Sequence, residues 1–191
     1  MPHSLIDHFR AMARNNAWSN SRLLEACGHL TPDEFAARRV SFFPSLVETL
    51  NHILVVDRYY LADLTGTGRV ILADEVPYPS VADLAQAQAE TDRELIAFCN
   101  VLDDADLERV VTIDRKDGVE NHETVAAILA HVFVHQIHHR GQAHAMLAGT
   151  PVAPPQLDEF FLASDAPRRD AELQRLGIAE PAQHERRPEQ R

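Results

Sequence analysis

Apolar residues recur at helical spacing in four long stretches of the chain. In the first, Leu5, Phe9, Met12, Ala13, Ala17, Leu23 and Leu24 form a stripe that reaches Cys27. Ser4 precedes it with Asp7 three positions on, in the manner of a capping box, and Gly28 and the Thr31-Pro32 pair stop it. The second stretch carries Leu46, Leu50, Ile53, Leu54, Tyr60, Leu61 and Leu64, with Pro44 at its expected start and the breaker Thr65-Gly66-Thr67-Gly68 at its end. Ser80 and Asp83 open the third, whose expected core face is Leu84, Ala87, Leu95, Phe98, Cys99 and Leu102. The fourth begins near Glu123 or Thr124 and runs to Leu147, with Gly149 expected as a left-handed cap.

Between these stretches the pattern breaks down. DEFAARRVSFFP reads as a connector and RVILADEVPYP as a loop, while VVTIDRKDGVE has β-branched residues around Asp117-Gly118 and could fold as a small hairpin. After Leu147 short helices are expected over residues 156–163 and 170–176, and the polar end PAQHERRPEQR is expected to be disordered. The fold class is therefore all-α, a four-helix bundle with a possible hairpin before its last helix. Residues 1–165 form the bundle domain and residues 166–191 a partly disordered C-terminal extension.

At 191 residues and 45% hydrophobic content the chain can close one globular core. A formal net charge of −11 excludes a broad phosphate-tracking surface, so nucleic acid is not an expected partner. No apolar run is long enough to span a bilayer, no signal segment opens the chain, and Cys27 and Cys99 make no disulfide framework. A cytoplasmic location without a membrane partner is the expectation.

The chemistry concentrates in the fourth stretch, HVFVHQIHHRGQAHAML, which holds five histidines. At about 100° per residue, His135, His138 and His139 lie within about 80° of His131, whereas His144 lies near 220°. Val132, Phe133, Ile137 and Leu147 fill much of the remaining circumference, so the helix is expected to be largely buried. Several buried imidazoles on one arc exceed what backbone groups can satisfy, and a shared metal ion satisfies them together.

His135 and His139, four apart, can present two nitrogens to one ion, although His131 and His135 have the same separation. A third donor must come from elsewhere, and His52, in the middle of the second helix, is the best candidate. The spacing resembles the zinc-protease pattern H-E-x-x-H, but Gln136 stands where that pattern needs its glutamate base. Asp57 and Arg140 fall off the histidine face and are expected in ion pairs, and Trp18 could wall a pocket or fill the core.

The run His131-x-x-x-His135-x-x-His138-His139-Arg140-Gly141-Gln142 resembles the signature of the DinB/YfiT-like family. Leu50-Asn51-His52-Ile53 followed by Asp57, Asn16 to Leu23, and Leu157-Asp158 resemble it as well. The resemblance implies a four-helix bundle, commonly a homodimer, with a divalent ion on His52, His135 and His139. Neutral nitrogen donors suit zinc or nickel, and iron less surely.

The wider family includes transferases and isomerases that use low-molecular-weight thiols, so the resemblance implies an S-transferase or hydrolase acting on a small molecule. Two other readings stand beside it. One is a non-catalytic metal- or ligand-binding protein of a damage or stress response. The other is a structural role in which the histidines hydrogen-bond one another.

Overall fold

Each long helix starts at a hydroxyl that accepts from the backbone amide three residues on, satisfying one of the four donors a helix start leaves open. Ser4 Oγ accepts from Asp7 N at 3.3 Å, Ser45 Oγ from Glu48 N at 3.2 Å, Ser80 Oγ from Asp83 N at 3.4 Å and Thr124 Oγ1 from Ala127 N at 3.2 Å. These caps open α1 (Leu5–Cys27), α3 (Leu46–Thr65), α4 (Val81–Val101) and α5 (Val125–Leu147). Pro44 lies just outside α3, because Ser45 takes the capping position. The structure, a computed structural model, describes residues 4–68, 76–114 and 120–178.

Two elements depart from the pattern. Inside the expected connector is a five-residue helix, α2 (Pro32–Ala36), set by a reciprocal capping box between Thr31 and Glu34 with Pro32 in its first turn. It is too short to show a periodic stripe. Gly149 is not left-handed; the chain leaves α5 through Ala148 (φ −59°, ψ −20°), and the amides of Gly149 and Thr150 turn back to Met146 and Leu147. At the end of α3, Gly66 does take the left-handed conformation, φ 68°.

The hairpin forms as β1 (Val110–Asp114) against β2 (Glu120–Thr124), antiparallel, with Val110 opposite Thr124. The Asp117-Gly118 pair expected at its turn lies outside the described residues, as do most of the segment before Val76 and the polar C-terminal run. The helix expected over residues 156–163 is absent. The Arg22 guanidinium donates to the Gln156 carbonyl at 2.7 Å and the His144 ring to the Pro155 carbonyl at 2.9 Å, drawing on acceptors that a helix would use internally. The chain divides into compact units at Leu157. In the second unit, α6 (Ala166–Leu176) follows a 3₁₀ turn (Ala163–Asp165), and Arg169 lies over the Phe160 ring at 5.4 Å.

Within the first unit α1 packs on α4 and α5, and α3 packs on the same two helices. The core is layered. One apolar cluster joins Ile6, Phe9, Tyr60, Leu95, Leu129 and Phe133; another joins Leu23, Leu46, Leu54, Leu84 and Leu147. Between these levels on all four helices sit buried polar side chains: Asn16 and Asn20, Asp57, Gln88 and Asp92, Gln136 and Arg140. Trp18 is fully buried beside them, with the Arg22 guanidinium 4.3 Å above its ring. Cys27 and Cys99 are free and buried, and burial pushes both thiols up to about 12. No helix among the described residues is long and apolar enough to cross a membrane.

Candidate metal centre

Helices α3 and α5 lie against each other, and at that seam three imidazoles converge. His52, His135 and His139 each offer a ring nitrogen within 4.8 Å of the other two. The ring centroids are 5.0 Å apart for His52 and His135, 4.6 Å for His52 and His139, and 4.5 Å for His135 and His139. His52 Nε2 and His135 Nε2 are 3.0 Å apart. Two nitrogens each at ~2.0–2.1 Å from one tetrahedral zinc would stand about 3.3 Å apart, so this separation, which is also that of a hydrogen bond between two imidazoles, is close to an edge of a coordination shell.

The protonation states suit metal binding too. Burial holds the His52 pKa down at about 4, with the neighbouring His139 lowering it further. Burial, then the surrounding imidazoles, takes His135 to about 3. His139 is also lowered by burial, against the opposing hydrogen bond from Gln142. All three rings are therefore neutral near pH 7 and keep a lone pair for a cation.

Gln142 fixes which nitrogen of His139 is available. Its Oε1 accepts from His139 Nδ1 at 2.9 Å, so that nitrogen carries the proton and Nε2 keeps its lone pair. The same amide donates to His138 Nε2 at 3.0 Å, which locks its orientation. Replacing Gln142 with alanine should lower metal affinity about 10- to 100-fold while leaving the circular dichroism unchanged. Calorimetric titration with zinc checks this, and undiminished affinity would remove Gln142 from the site.

The rival pairing of His131 with His135 is not the one that meets His52. His131 is exposed, its ring 5.1 Å from Tyr60 and 6.1 Å from His135. His138 is exposed beside His139, and His144 binds the Pro155 carbonyl. The face of α5 between these rings is open: Val134 is 66% and Ile137 51% exposed, so the helix is less enclosed than its composition suggests.

Behind the rings lies a polar network that the sequence does not reveal. Arg140, expected in an ion pair, is buried and donates to Asn16 Oδ1 at 2.6 Å, Asn20 Oδ1 at 2.8 Å and Gln136 Oε1 at 3.3 Å. Asn16 and Asn20 donate onward to Asp92, and Gln88 bridges Asp92 and Asp57 at 3.2 and 3.0 Å. Gln136 donates to Asp57. Burial pushes Asp57 up to about 8, with the charge of Asp92 adding to it, and pushes Asp92 up to about 6. Neither carboxyl reaches solvent, so neither is placed to serve as an open general base.

Two phenylalanines from the segment before α3 complete the surroundings. Phe43 packs 4.4 Å from the His52 ring and 5.6 Å from that of His139, while Phe42 stands 6.1 Å from His139. Neither was singled out by its sequence, because two adjacent aromatics before a proline carry no spacing signal.

A donor set of three neutral imidazoles from two rigid helices, one ring tautomer fixed by an amide, fits a divalent cation with positions left open for other ligands. Comparison with known proteins agrees with the fold. The model of the DinB family matches residues 1–172. The chain is similar to the crystal structure, at 2.01 Å resolution, of a DinB-like protein from Bacillus cereus ATCC 10987. That likeness has a TM-score of 0.59 at 17% identity and covers 74% of this chain and 89% of the other. No curated protein matches the chain.

Proposed function

The chain belongs to the DinB family, and from that premise we propose that it is a divalent-metal-dependent enzyme, an S-transferase before a hydrolase, acting on a small molecule. The observation that carries this reading is the convergence of His52, His135 and His139 as neutral donors at one point. Zinc or nickel suits three nitrogens best, with iron as a further choice. When bound, such an ion supplies Lewis acidity and lowers the pKa of a thiol or water beside it.

The protein's own groups favour thiol chemistry. Asp57 and Asp92 are sealed in the core and cannot take a proton from an attacking water. A thiol needs no such base, since a cation beside it favours the thiolate. His138 is exposed beside His139 and oriented by Gln142. A low-molecular-weight thiol as co-substrate and a homodimer as the working form complete the proposal.

The test is a cobalt-substituted protein titrated with several small thiols. The expected result is uptake of about one cobalt per chain and a changed ligand-field spectrum with at least one thiol. No uptake would sink the metal reading. Cobalt bound with no response to any thiol would sink transfer and favour a protein that binds metal without turnover.

A further inference from the structure

The residues between α2 and α3 are held more tightly than their irregular path suggests. Arg39 N donates to the Pro44 carbonyl at 2.6 Å, closing a six-residue loop. The Arg39 guanidinium donates to the carbonyls of Ala37 at 2.9 Å and Glu34 at 2.8 Å, tying the loop to the end of α2. Inside this closed loop Val40 is fully exposed and Phe42 is 76% exposed, the largest exposed aromatic beside the three histidines. Single exposed apolar residues are ordinary on protein surfaces. A pinned phenyl ring that abuts a polar centre is a different arrangement, because the loop holds it largely in water beside that centre.

The rings form a continuous series. Phe42 meets Phe43 edge-on at 4.9 Å and 81°, and Phe43 packs against His52 and His139. A molecule whose polar end meets the histidines would therefore lay its next few atoms against Phe42. From this geometry we infer that the small molecule held at this centre carries an aryl group beside its polar head, and that Phe42, with Phe43 behind it, selects that group. The inference rests on the metal reading above and adds the class of small molecule that this centre takes. Edge-to-face and offset ring pairs give a flat aryl group a preference over an alkyl group of equal reach.

The experiment compares benzohydroxamate with acetohydroxamate, which share one metal-binding head and differ only in phenyl against methyl. Both are titrated into the cobalt-loaded full chain, wild type, Phe42→Ser and Phe42→Tyr, followed by the visible spectrum and by calorimetry. The wild type is expected to favour benzohydroxamate about ten-fold more than Phe42→Ser does, with acetohydroxamate affinity the same in both and the preference restored in Phe42→Tyr. Equal preference in wild type and Phe42→Ser, or equal loss for both probes, overturns the inference while leaving the metal reading intact. A protein that takes up no cobalt overturns both. Sedimentation of the metal-free proteins supplies the remaining outcome: a wild-type dimer that Phe42→Ser splits would assign the ring to contact with a second copy and overturn the inference.

Discussion

Replacement of His135 by alanine is expected to strip the protein of its divalent ion while leaving the bundle folded. The His135 ring lies 5.0 Å from that of His52 and 4.5 Å from that of His139, centroid to centroid, and its Nε2 is 3.0 Å from His52 Nε2. Structural zinc sites release roughly 10–16 kcal/mol across four ligands, so one lost donor costs about 3 kcal/mol, more than 100-fold in affinity. His52→Ala should do the same from the opposite helix. His131→Ala and His144→Ala should retain about one ion per chain, since those rings turn to Tyr60 and to the Pro155 carbonyl. Elemental analysis of untagged protein decides: equal losses from His135→Ala and His144→Ala, or full metal in His52→Ala, would break the proposed donor set.

The same variant has a consequence for the metal-free chain. His52 and His135 have folded-state pKa values of about 4 and about 3, below the ordinary histidine value, so the folded state binds fewer protons than the unfolded one. Their contribution to stability is present above about pH 6.5 and is lost as pH falls through those lower values. Metal-free His135→Ala should therefore resist mild acid better than the wild type.

Arg140→Met is expected to cost about 3–5 kcal/mol of folding stability, the range for breaking a buried charged group away from its partners. Methionine fills a similar volume but leaves the Asn16, Asn20 and Gln136 carbonyls without their donor and two buried carboxyls without their cation. The loss should depend on pH. Asp57 and Asp92 are raised above their ordinary value, so the folded state holds protons that the unfolded state has released. Their penalty is absent below about pH 4 and grows as pH rises through about 6 and about 8. Without Arg140 to relieve it, the penalty at pH 8 should exceed that at pH 5.5. Urea denaturation at the two values checks this; a pH-independent loss under about 1 kcal/mol would show that the guanidinium does not hold the network.

The four long helices were legible because their caps are local chemistry: Ser4, Ser80 and Thr124 announce themselves by type and position. The spacing on α5 pointed to His135 and His139, and a histidine placed mid-helix among apolar residues pointed to His52 on α3. That His135 and His139, rather than His131, lie beside His52 follows from the packing of α3 on α5, which no spacing rule contains. The polar belt stayed hidden for a related reason. Asn16, Asn20, Gln88 and Asp92 each look like a solvent-facing interruption of an apolar stripe, and only assembly places them opposite one another. Gln136, at first informative for excluding a protease, proves to be the buried link between Asp57 and Arg140.

Along α5 the residues alternate in an instructive way. His135 and His139 are followed at once by Gln136 and Arg140, so each donor toward the seam has a neighbour anchored in the core. That anchoring acts as a key in a shaft, resisting any turn of the helix about its own axis. The rings are thus preorganised by the fold itself, and an ion captured there would not need to supply the entropy of aligning them.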